Sequence, residues 1–573
     1  MREARTTCGV LRQRPGWLGP YAALTVLVGL GVATGILVGP QATAAQRSVT
    51  PSLASPLHRP PSLGNGVGLS GTLRAPGGPF LYDRQGRVVL LHGVNVVYKY
   101  PPFEVYPDPH RPWNFSAHDA SLMARLGFNV VRLGITWSGL EPGNAPSNDP
   151  DICTKGPPGD PGQFDLPVLD RYLAHVRQTV DLLGRYHIYS LIDMHQDVYS
   201  AMFGGEGAPS WAVCTGGLPN IKPPGRWSLE YGTRAAGRAF HNLWTNDVEG
   251  DLQGELDRVW GYVASYFRSN PWVLGYDPFN EPYSRSVIRL GDQHFDEELE
   301  CFYTGSAHMG TLEAGQPIPH CPRQDPSTGV IPTILANDPN HLVFFEPDIY
   351  GARGFPSFLG SMDLPNLVFN FHVYCAYRSP VTGNPTNIAL CAAQGTRSLD
   401  RRATDRQHMS SPPQPRGPAW FMSEFGATAD LALVSVLTAE ADQHLVGWAY
   451  WSWKYYGDPT GSRDEALVND KGQLRPTAYA LSRTYPEAIS GVPEQISFDP
   501  TTGAFLLRYM AARHVRAPTI VFVASALHYP HGYCASASGA RVTSAGSDLL
   551  EVTNRAGARN VEVRVTSGPC HRS

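Results

Sequence analysis

Eight short apolar segments that alternate with helical patterns between residues 75 and 486 predict an α/β fold, a (β/α)8 TIM barrel. After residue 486 the helical patterns stop, and short alternating or β-branched segments predict a C-terminal antiparallel β-sandwich domain. The chain has 573 residues, of which 42% are hydrophobic and only 17% charged. A disordered protein shows the opposite balance, so we expect a large buried core.

The first 45 residues are predicted to be a secretory signal peptide. Arginines precede an apolar stretch over residues 21–38, and the small residues 42–45 follow it. This stretch spans 18 residues, longer than usual for a signal, so it is either removed or retained as a membrane anchor. Cleavage is favoured, which predicts a secreted protein. Residues 46–74 are rich in Pro, Ser and Gly and are predicted to be a linker.

The predicted barrel covers residues 75–486, and its strands are rich in branched and aromatic residues. The predicted strands are Val88–Val97, Asn129–Ile135, His187–Asp193, Val273–Phe279, His341–Glu346, Leu367–His372, Trp420–Glu424 and Val446–Trp451. A helix is predicted after the second strand, with Asp165 as its N-cap and Pro167 in its first turn. A doubly wound sheet is the main alternative, but the first strand is not followed by the GxGxxG of a dinucleotide-binding version.

The C-terminal domain is predicted over residues 487–573. Its predicted strands are Gln495–Phe498, Ala504–Tyr509, Thr519–Val523, Leu549–Val552 and Val561–Val565. This domain is either a carbohydrate-binding module or a structural domain. The short connection between Tyr485 and Gln495 favours a domain packed against the barrel.

Eight cysteines follow the predicted signal, and an even number in an exported chain predicts disulfides. Eight cysteines allow 105 pairings, so spacing alone does not determine the connectivity. Pairing in chain order is our hypothesis. The pairs would be Cys153–Cys214, Cys301–Cys321, Cys375–Cys391 and Cys534–Cys570.

Charge and cysteine spacing exclude two classes of function. None of the cysteines forms a CxxC pair with ligand-like spacing, so a zinc site is not predicted. The net charge is -4 and there is no basic run, which makes nucleic-acid binding a poor hypothesis.

Two glutamates stand at predicted strand ends, where a barrel carries its reactive groups. Glu281 ends the fourth strand between Asn280 and Pro282, and Glu424 ends the seventh strand. Two carboxylates across one cleft are what hydrolysis of a glycosidic bond requires, one as a protonated acid and one as an ionised nucleophile. The alternative for either glutamate alone is a solvated loop residue or a salt-bridge partner.

Several motifs resemble one family in particular. The sequences NEP at 280–282 and SEFG at 423–426 resemble the acid/base and nucleophile signatures of glycoside hydrolase family 5. Four further segments resemble its endoglycoceramidase members. They are LHGVNVVYK at 91–99, DMHQDVY at 193–199, GGEGAP at 204–209 and GWAYWSWK at 447–454. The NEP motif is shared by many barrel glycosidases, whereas DMHQD followed by GGEGAP is much more specific.

The resemblance implies a retaining endo-β-glycosidase that cuts between an intact glycan and ceramide. Glu281 would be the acid/base and Glu424 the nucleophile, with their carboxyl groups about 5–5.5 Å apart. No metal or organic cofactor is implied, because two carboxylates suffice for a double displacement. The implied partner is a glycolipid substrate at a membrane or micelle surface, and no protein partner is implied.

The family pattern also assigns residues to the substrate site. They are Lys99, Arg132, His195, Asp197, Asn280, His372 and Tyr374, and the tendency of aromatic rings to stack on sugars adds Trp451 and Trp453. Arg132 is expected to hold Glu424 ionised, Tyr374 to donate a hydrogen bond to it, and Asn280 to bind the sugar 2-hydroxyl. The remaining polar residues would bind sugar hydroxyls or flank the nucleophile.

Some of these assignments have structural alternatives. His195 is alternatively a packed core histidine, and Lys99 a solvated loop residue. Trp451 and Trp453 are candidates for an aromatic platform under the sugar, although either could be core. Glu206 in the GGEGAP loop is a possible site residue.

Residues outside this set receive weaker assignments. Glu141 and Glu346 are assigned structural or supporting roles. Trp211 is a weaker platform candidate, and so is Trp227. An apolar groove for ceramide would involve loop residues on the same face. They are Phe203, Ile221, Trp227, Phe345 and Tyr350.

Two other functions stay open from the sequence. One is the same mechanism with another aglycone, namely a steryl glucoside, a galactolipid or a β-glucan. The other is a non-catalytic glycolipid-binding protein. The second would predict loss of a catalytic carboxylate, whereas both Glu281 and Glu424 are present.

Overall fold

The computed structural model describes residues 69–570 with several gaps. The gaps are residues 70, 109, 111–113, 144–164, 224–226, 247, 249–250, 285–292, 306–327, 363, 380–383, 411–415 and 545–547. The predicted signal peptide, most of the predicted linker, Cys153 and Cys321 lie outside the described residues. Within these bounds no helix has both the length and the apolar character needed to cross a bilayer.

The strands are β1 Leu81–Tyr82, β2 Val88–Val89, β3 His92–Val96, β4 Val130–Ile135, β5 Tyr189–Met194, β6 Val273–Asp277, β7 Leu342–Phe345, β8 Leu367–Val373, β9 Ala419–Gly426, β10 Gly447–Trp451, β11 Tyr485–Ile489, β12 Gly491–Asp499, β13 Ala504–Ala511, β14 Thr519–Phe522, β15 Tyr533–Ser538, β16 Ala540–Ser544, β17 Leu549–Asn554 and β18 Asn560–Ser567. The helices are α1 Ala117–Arg125, α2 Trp137–Leu140, α3 Leu166–Gly184, α4 Arg234–Thr245, α5 Leu252–Phe267, α6 Gln293–Thr304, α7 Val330–Asn337, α8 Ile388–His408, α9 Leu431–Gln443, α10 Ala478–Leu481 and α11 Ser525–His528. From β3 to β10, one or two α-helices lie between successive strands, except between β7 and β8, where the described residues form a 3-10 helix at Ile349–Arg353.

Strands β3 to β10 form a closed parallel barrel, in which β10 pairs with both β9 and β3. Each of the eight predicted segments contributes one strand, so the predicted (β/α)8 fold is confirmed. Their residues are buried throughout, as expected for parallel strands covered on both faces. The predicted helix cap is also present, because the Asp165 side chain accepts a hydrogen bond from the amide of Val168.

The segment Val88–Val97, predicted as one strand, is divided between two sheets. Val88 and Val89 pair antiparallel with Ile489 and Ala488 of β11, whereas β3 enters the barrel. No turn residue separates the two parts, and both are apolar, so periodicity alone does not reveal where the chain leaves one sheet for the other.

The C-terminal part of the chain forms two antiparallel sheets, one of which also includes β1 and β2, and this confirms the predicted antiparallel β-domain. The six-stranded sheet has the order β1-β2-β11-β14-β17-β16, and the four-stranded sheet has the order β12-β13-β18-β15. Strands β1, β11, β15 and β16 were not predicted. β15 (YCASAS) is dominated by alanine and serine, which have little strand preference, and the other three have at most five residues, so their signals are weak.

The C-terminal domain packs against the amino-terminal ends of the barrel strands. The ring of His92, which begins β3, stacks between Trp448 at 4.3 Å and Tyr485 at 3.9 Å between centroids. Barrel residues such as Leu191 share one apolar core with residues of both C-terminal sheets, such as Ile489 and Phe498. The carboxyl ends of the strands, where the candidate site lies, are at the opposite end of the barrel.

Two of the proposed disulfides are present and are therefore confirmed, Cys375–Cys391 and Cys534–Cys570. Cys214 and Cys301 are also disulfide-bonded. Their expected partners lie outside the described residues, so these two pairings stay predictions.

A buried ion pair joins the barrel to the C-terminal domain. Arg483 donates hydrogen bonds to the Asp442 carboxylate at the end of α9, to the Thr438 hydroxyl (3.1 Å) and to the Phe498 carbonyl in β12 (3.1 Å). Both charged side chains are almost fully buried. Removal of one partner would leave the other charge without compensation in the interior.

We expect Arg483→Met to lower the free energy of unfolding by about 3–5 kcal/mol, because Asp442 would stay buried without its cation. The matched control is Arg508→Met, which removes an exposed pair with Glu562 (2.8 Å). The control substitution should lower the free energy of unfolding by no more than about 1 kcal/mol. Denaturant unfolding measures both, and equal losses in the two variants would contradict the structural role of Arg483.

Candidate active site

Glu281 lies four residues beyond β6, and its backbone conformation is unusual. Its φ is +44°, in the left-handed region that a residue other than glycine seldom adopts. The Gln196 amide donates to the carbonyl oxygens of Asn280 (2.8 Å) and Glu281 (3.0 Å). The Glu281 N–H in turn donates to Glu346 Oε2 at 3.0 Å. These contacts stabilise the unusual backbone and so set the direction of the Glu281 side chain.

Glu424 lies inside β9, near the carboxyl end of that strand. Its Oε1 accepts a hydrogen bond from Arg132 Nη1 at 2.5 Å, and its Oε2 accepts one from the Tyr374 hydroxyl at 2.7 Å. The carboxylate therefore has one strong donor on each oxygen. These are the contacts that sequence analysis expected of Arg132 and Tyr374.

His372 lies between the two glutamates. It is the β8 residue paired in register with Glu424, and its Nδ1 is 2.8 Å from Glu281 Oε1 and 3.5 Å from Glu424 Oε2. One oxygen of each glutamate and one nitrogen of His372 lie within 4.8 Å of one another. This upper limit is compatible with the carboxyl spacing of retaining glycosidases, about 5–5.5 Å, and the two oxygens are closer than the 6.5–9.5 Å typical of inverting ones.

Burial shifts the pKa values of this group in directions that suit acid/base chemistry. Desolvation raises the pKa of Glu281 to about 7, although the hydrogen bond and charge of His372 oppose the shift. Burial also raises the pKa of Glu424, against the lowering effects of His372, Arg132 and the Tyr374 hydrogen bond. The pKa of His372 is raised well above its usual value, because the carboxylates of Glu346 and Glu424 outweigh desolvation. His372 is therefore a cation at neutral pH.

Arg132, in β4, is the centre of the charge network beneath the two glutamates. Its guanidinium lies 2.9 Å from Asp193, 2.8 Å from Asp277 and 3.0 Å from Glu346, besides its contact with Glu424. These carboxylates come from the ends of different strands, so one cation joins several strand ends. Burial raises the pKa of Asp193 to about 7 and that of Asp277 well above its usual range. These two side chains can therefore hold protons, so the four acids around Arg132 need not all be ionised.

Asn280 forms hydrogen bonds within the protein and also lies at the candidate site. Its Oδ1 accepts from Arg132 Nη2 at 2.8 Å, and its Nδ2 donates to the Gln196 carbonyl at 2.9 Å. An amide nitrogen has two hydrogens, so one donor stays available for the expected contact with a sugar hydroxyl.

A second charged group surrounds Lys99 after β3. The ammonium contacts the Asp197 carboxylate, the Thr460 hydroxyl (2.7 Å) and the Asp458 carboxylate (3.2 Å). It also lies 4.6 Å from the centroid of the Trp451 ring. Lys99 is buried rather than solvated on a loop, so the structural alternative for Lys99 is wrong.

His195 joins the two charged groups. Its Nδ1 lies 2.7 Å from Asp193 Oδ2, and its ring stacks on Trp451 with centroids 5.3 Å apart. Burial and the nearby Lys99 charge hold the pKa of His195 well below its usual value, so the ring is neutral. Nδ1 then donates to Asp193 and leaves Nε2 as an acceptor.

The two tryptophans proposed as a platform separate in the structure. Trp451 borders the group of Lys99 and His195. Trp453 is fully buried, and its indole N–H donates to Asp119 Oδ1 at 2.9 Å. The chain turns away from strand geometry after β10, so the spacing of two residues does not put both rings on one face. Trp453 therefore fits the alternative of a core residue, whereas Trp451 borders the site.

Other weaker candidates lie in the protein core. Phe203 and Phe345 are buried, so they do not line an open groove, whereas Ile221 is 73% exposed. Trp211 is buried, and its indole N–H donates to the Glu141 carbonyl at 3.1 Å, which gives both residues structural roles.

Sequence analysis did not assign several residues of the two charged groups. Asp193 and Asp277 stand at strand ends inside or beside the quoted motifs, so their position was a usable signal. Glu346 was expected to have a supporting role, and it contacts both Arg132 and His372. Asp458 and Thr460 follow β10 in a loop without periodicity or a strand-end position, and only the tertiary contact with Lys99 reveals them.

Two sets of side chains have spacing that would suit a metal ion, His195 with Asp197 and Glu206, and Glu281 with His372 and Glu424. Positive charge already lies in both sets. The Lys99 ammonium is 3.5 Å from Glu206 and contacts Asp197, and His372 is itself cationic. A side-chain cation therefore already lies beside carboxyl groups of each set.

Comparison with protein families matches both parts of the chain. The family model described as Cellulase (glycosyl hydrolase family 5) matches residues 110–457. The model described as Glycoside hydrolase family 5 C-terminal domain matches residues 483–566.

Curated relatives match over most of their length. Endoglycoceramidase I of Rhodococcus hoagii (strain 103S) is 28% identical over 509 residues, which are 86% of this chain and 88% of that protein. Endoglycoceramidase of Cyanea nozakii is 28% identical over 486 residues, 79% of this chain and 84% of that protein. Among solved structures, the lactosyl-enzyme intermediate of Endo-glycoceramidase II from Rhodococcus sp. has a TM-score of 0.65 and 24% identity, and the match covers 86% of this chain and 100% of that one. This likeness shows a shared fold.

Proposed function

This chain belongs to glycoside hydrolase family 5, and from that premise we propose that it hydrolyses the bond between the glycan and the ceramide of glycosphingolipids. The observation that carries the proposal is the close approach of Glu281 and Glu424, with His372 between them and Arg132 on Glu424. The names of the two relatives described above, Endoglycoceramidase I of Rhodococcus hoagii and Endoglycoceramidase of Cyanea nozakii, support the choice of lipid.

The proposed reaction is a double displacement with retention of configuration. Glu424 attacks the anomeric carbon while Glu281 gives its proton to the leaving oxygen, so the glycosidic bond breaks and ceramide departs. Glu281, now ionised, takes a proton from water, and the water oxygen attacks the anomeric carbon and displaces Glu424. Each side chain thus returns to its starting state.

The side chains around the two glutamates have separate roles in this proposal. Arg132 and Tyr374 hold the Glu424 oxygens and favour the ionised form that attacks. Lys99, Asp197 and Trp451 form the sugar side of the site, with a donor, an acceptor and an aromatic face.

The substrate is proposed to be held in a membrane or micelle while the enzyme acts on its headgroup. The insertion after β5 exposes apolar side chains, with Met202 51%, Ile221 73% and Leu229 49% exposed. The Asn220 amide donates to the Met202 carbonyl at 3.0 Å, which places Ile221 beside Met202. Exposed apolar side chains in one insertion suit contact with lipid chains.

We test the proposed reaction with purified protein and four substrates in detergent micelles. They are glucosylceramide, a larger ganglioside, a steryl glucoside and an aryl β-cellobioside, with products identified by mass spectrometry. Intact glycan plus ceramide is the expected result. Glu281→Gln and Glu424→Gln should each lower kcat/KM on the ganglioside by about 10²–10⁴-fold.

The control variant is Glu562→Gln, which changes a carboxylate on β18 that is paired with Arg508 and should leave activity unchanged. Cleavage of the steryl or aryl substrate alone would keep the mechanism and overturn the ceramide assignment. Failure to cleave any of the four would overturn the proposed function as a whole.

The dependence of kcat/KM on pH should reflect the protonation of both Glu281 and Glu424. Activity should fall as pH rises through about 7, because the reaction needs protonated Glu281. It should also fall at acid pH, when Glu424 becomes protonated. Tyr374→Phe removes a hydrogen bond that lowers the pKa of Glu424, so it should move the acid limb to higher pH. An unchanged acid limb in this variant would contradict the role of Glu424 as the ionised group.

We also propose that the protein is exported with its signal removed. The apolar stretch at 21–38 and the disulfides Cys375–Cys391 and Cys534–Cys570 support this proposal. N-terminal sequencing of the protein from culture medium should find a start near residue 45. Protein recovered only from the membrane fraction, with an intact N-terminus, would support the anchor instead.

A further inference from the structure

The glycine-rich loop 204–209 folds back onto the end of β5 and pairs Glu206 with Asp197. The backbone N–H of each residue donates to the carbonyl oxygen of the other, at 3.1 Å in both directions. A Cβ at Gly205 would lie 1.9 Å from the Asp197 carbonyl oxygen, and Gly207 has a φ of +129°. Glycine is required at both positions for this close approach. The loop thereby inserts Glu206 beneath the sugar side of the site.

The Glu206 side chain has an unusual environment for a carboxyl group. It is fully buried, and in the described part of the chain neither of its oxygens has a hydrogen-bond partner. Its Oε1 lies 3.5 Å from Lys99 Nζ and 3.8 Å from His195 Nε2, which also lacks a partner among those residues. An ionised carboxylate normally requires several hydrogen bonds when it is buried.

The neighbouring charges also oppose ionisation of Glu206. The carboxylates of Asp197 and Asp458 both contact the Lys99 ammonium more closely than Glu206 does. His195 is neutral, so one cation faces three carboxyl groups. Burial, with the charges of Asp197 and Asp458, raises the pKa of Glu206 well above its usual value despite Lys99.

We propose that Glu206 is a positioning residue of the sugar side of the site. As a neutral carboxylic acid, it fills the space beside Lys99 without drawing the ammonium from Asp197, so that Lys99 and Asp197 stay in place as the charged donor and acceptor that bind the hydroxyls of the sugar. The role in sugar binding rests on the proposed function. The protonation state does not, because it follows from the burial and the neighbouring charges alone.

The physical reason is competition for one ammonium group. Ionised Glu206 would attract Lys99 away from Asp197 and Thr460, towards the interior and away from the sugar. Neutral Glu206 fills the same space without this attraction. The carboxyl group is also a polar neighbour of Lys99 and of His195 Nε2, which an apolar side chain would not be.

The first test measures the melting temperature of the intact protein and of Glu206→Gln from pH 5 to pH 8. The unfolded chain releases the Glu206 proton near pH 4.5, the usual pKa of a glutamate, whereas the folded protein keeps this proton to higher pH. Wild type therefore loses stability as pH rises above 4.5. Glutamine has no proton to release. The melting temperature of Glu206→Gln should therefore rise relative to wild type by about 1 °C per pH unit.

Glu562→Gln is the control for this measurement. The hydrogen bonds from Arg564 and Arg508 lower the pKa of Glu562, so its carboxyl is ionised over the whole range. The difference between wild type and this variant should stay constant with pH. A constant or falling difference for Glu206→Gln would mean that Glu206 is ionised in the folded protein, and this would overturn the proposal.

The second test compares KM and kcat for Glu206→Ala and Glu206→Gln with a substrate that the wild type cleaves. Glu206→Ala should raise KM about 10-fold or more, because Lys99 and Asp197 lose their support. Glu206→Gln should recover most of that loss, since the amide matches the neutral acid in shape. A KM for Glu206→Gln as poor as that of Glu206→Ala would overturn the positioning role.

The two tests separate the two proposals. If the wild type cleaves no glycoside, the proposed function fails, whereas the dependence of stability on pH still decides whether Glu206 is neutral. If the wild type is active and the stability difference does not rise with pH, only the inference about Glu206 fails. If Glu206→Ala does not fold, both measurements are made on Glu206→Gln alone. An increase of 10-fold or more in the KM of Glu206→Gln would then count against the proposal.

Discussion

The site depends on one buried cation, the guanidinium of Arg132. A buried charge is costly unless it is paired and hydrogen-bonded, and this one has carboxylates from the ends of four strands around it, together with the Asn280 amide oxygen. The planar fork of arginine suits this role, because its donors point in fixed directions in one plane. Lysine would supply a single point charge and could not hold the same carboxylates in these positions.

The remaining features of the site follow from the excess of acidic groups around few cations. Burial makes ionisation costly for all of them and raises the pKa even of Asp193 and Asp277, which contact Arg132 directly. Glu424 differs from Glu281 in its donors, because Arg132 and Tyr374 each hold one of its oxygens, whereas His372 contacts Glu281. These contacts distinguish the two glutamates in the proposed reaction, and the closer contact with Lys99 separates Asp197 from Glu206 on the sugar side.

Sequence analysis identified the barrel well because buried parallel strands have a strong and local signature. Continuous apolar runs separated by amphipathic helices do not depend on knowledge of their partners. The signature is weak in the alanine- and serine-rich β15 and in the five-residue β16, and neither strand was predicted. Strand spacing also carries no information beyond the end of β10, where Trp453 lies in the core against Asp119.

The sequence by itself determined the order of the strands, the two glutamates at strand ends and the candidates around them. Those features depend on residues near one another in the chain, or on the rule that reactive groups stand at the carboxyl ends of barrel strands. Only the tertiary structure decided which carboxyl groups share a cation, which tryptophan faces the site and what surrounds Glu206. The reason is that pKa values and hydrogen bonds depend on contacts between distant segments, such as Lys99 with Asp458, which no local pattern encodes.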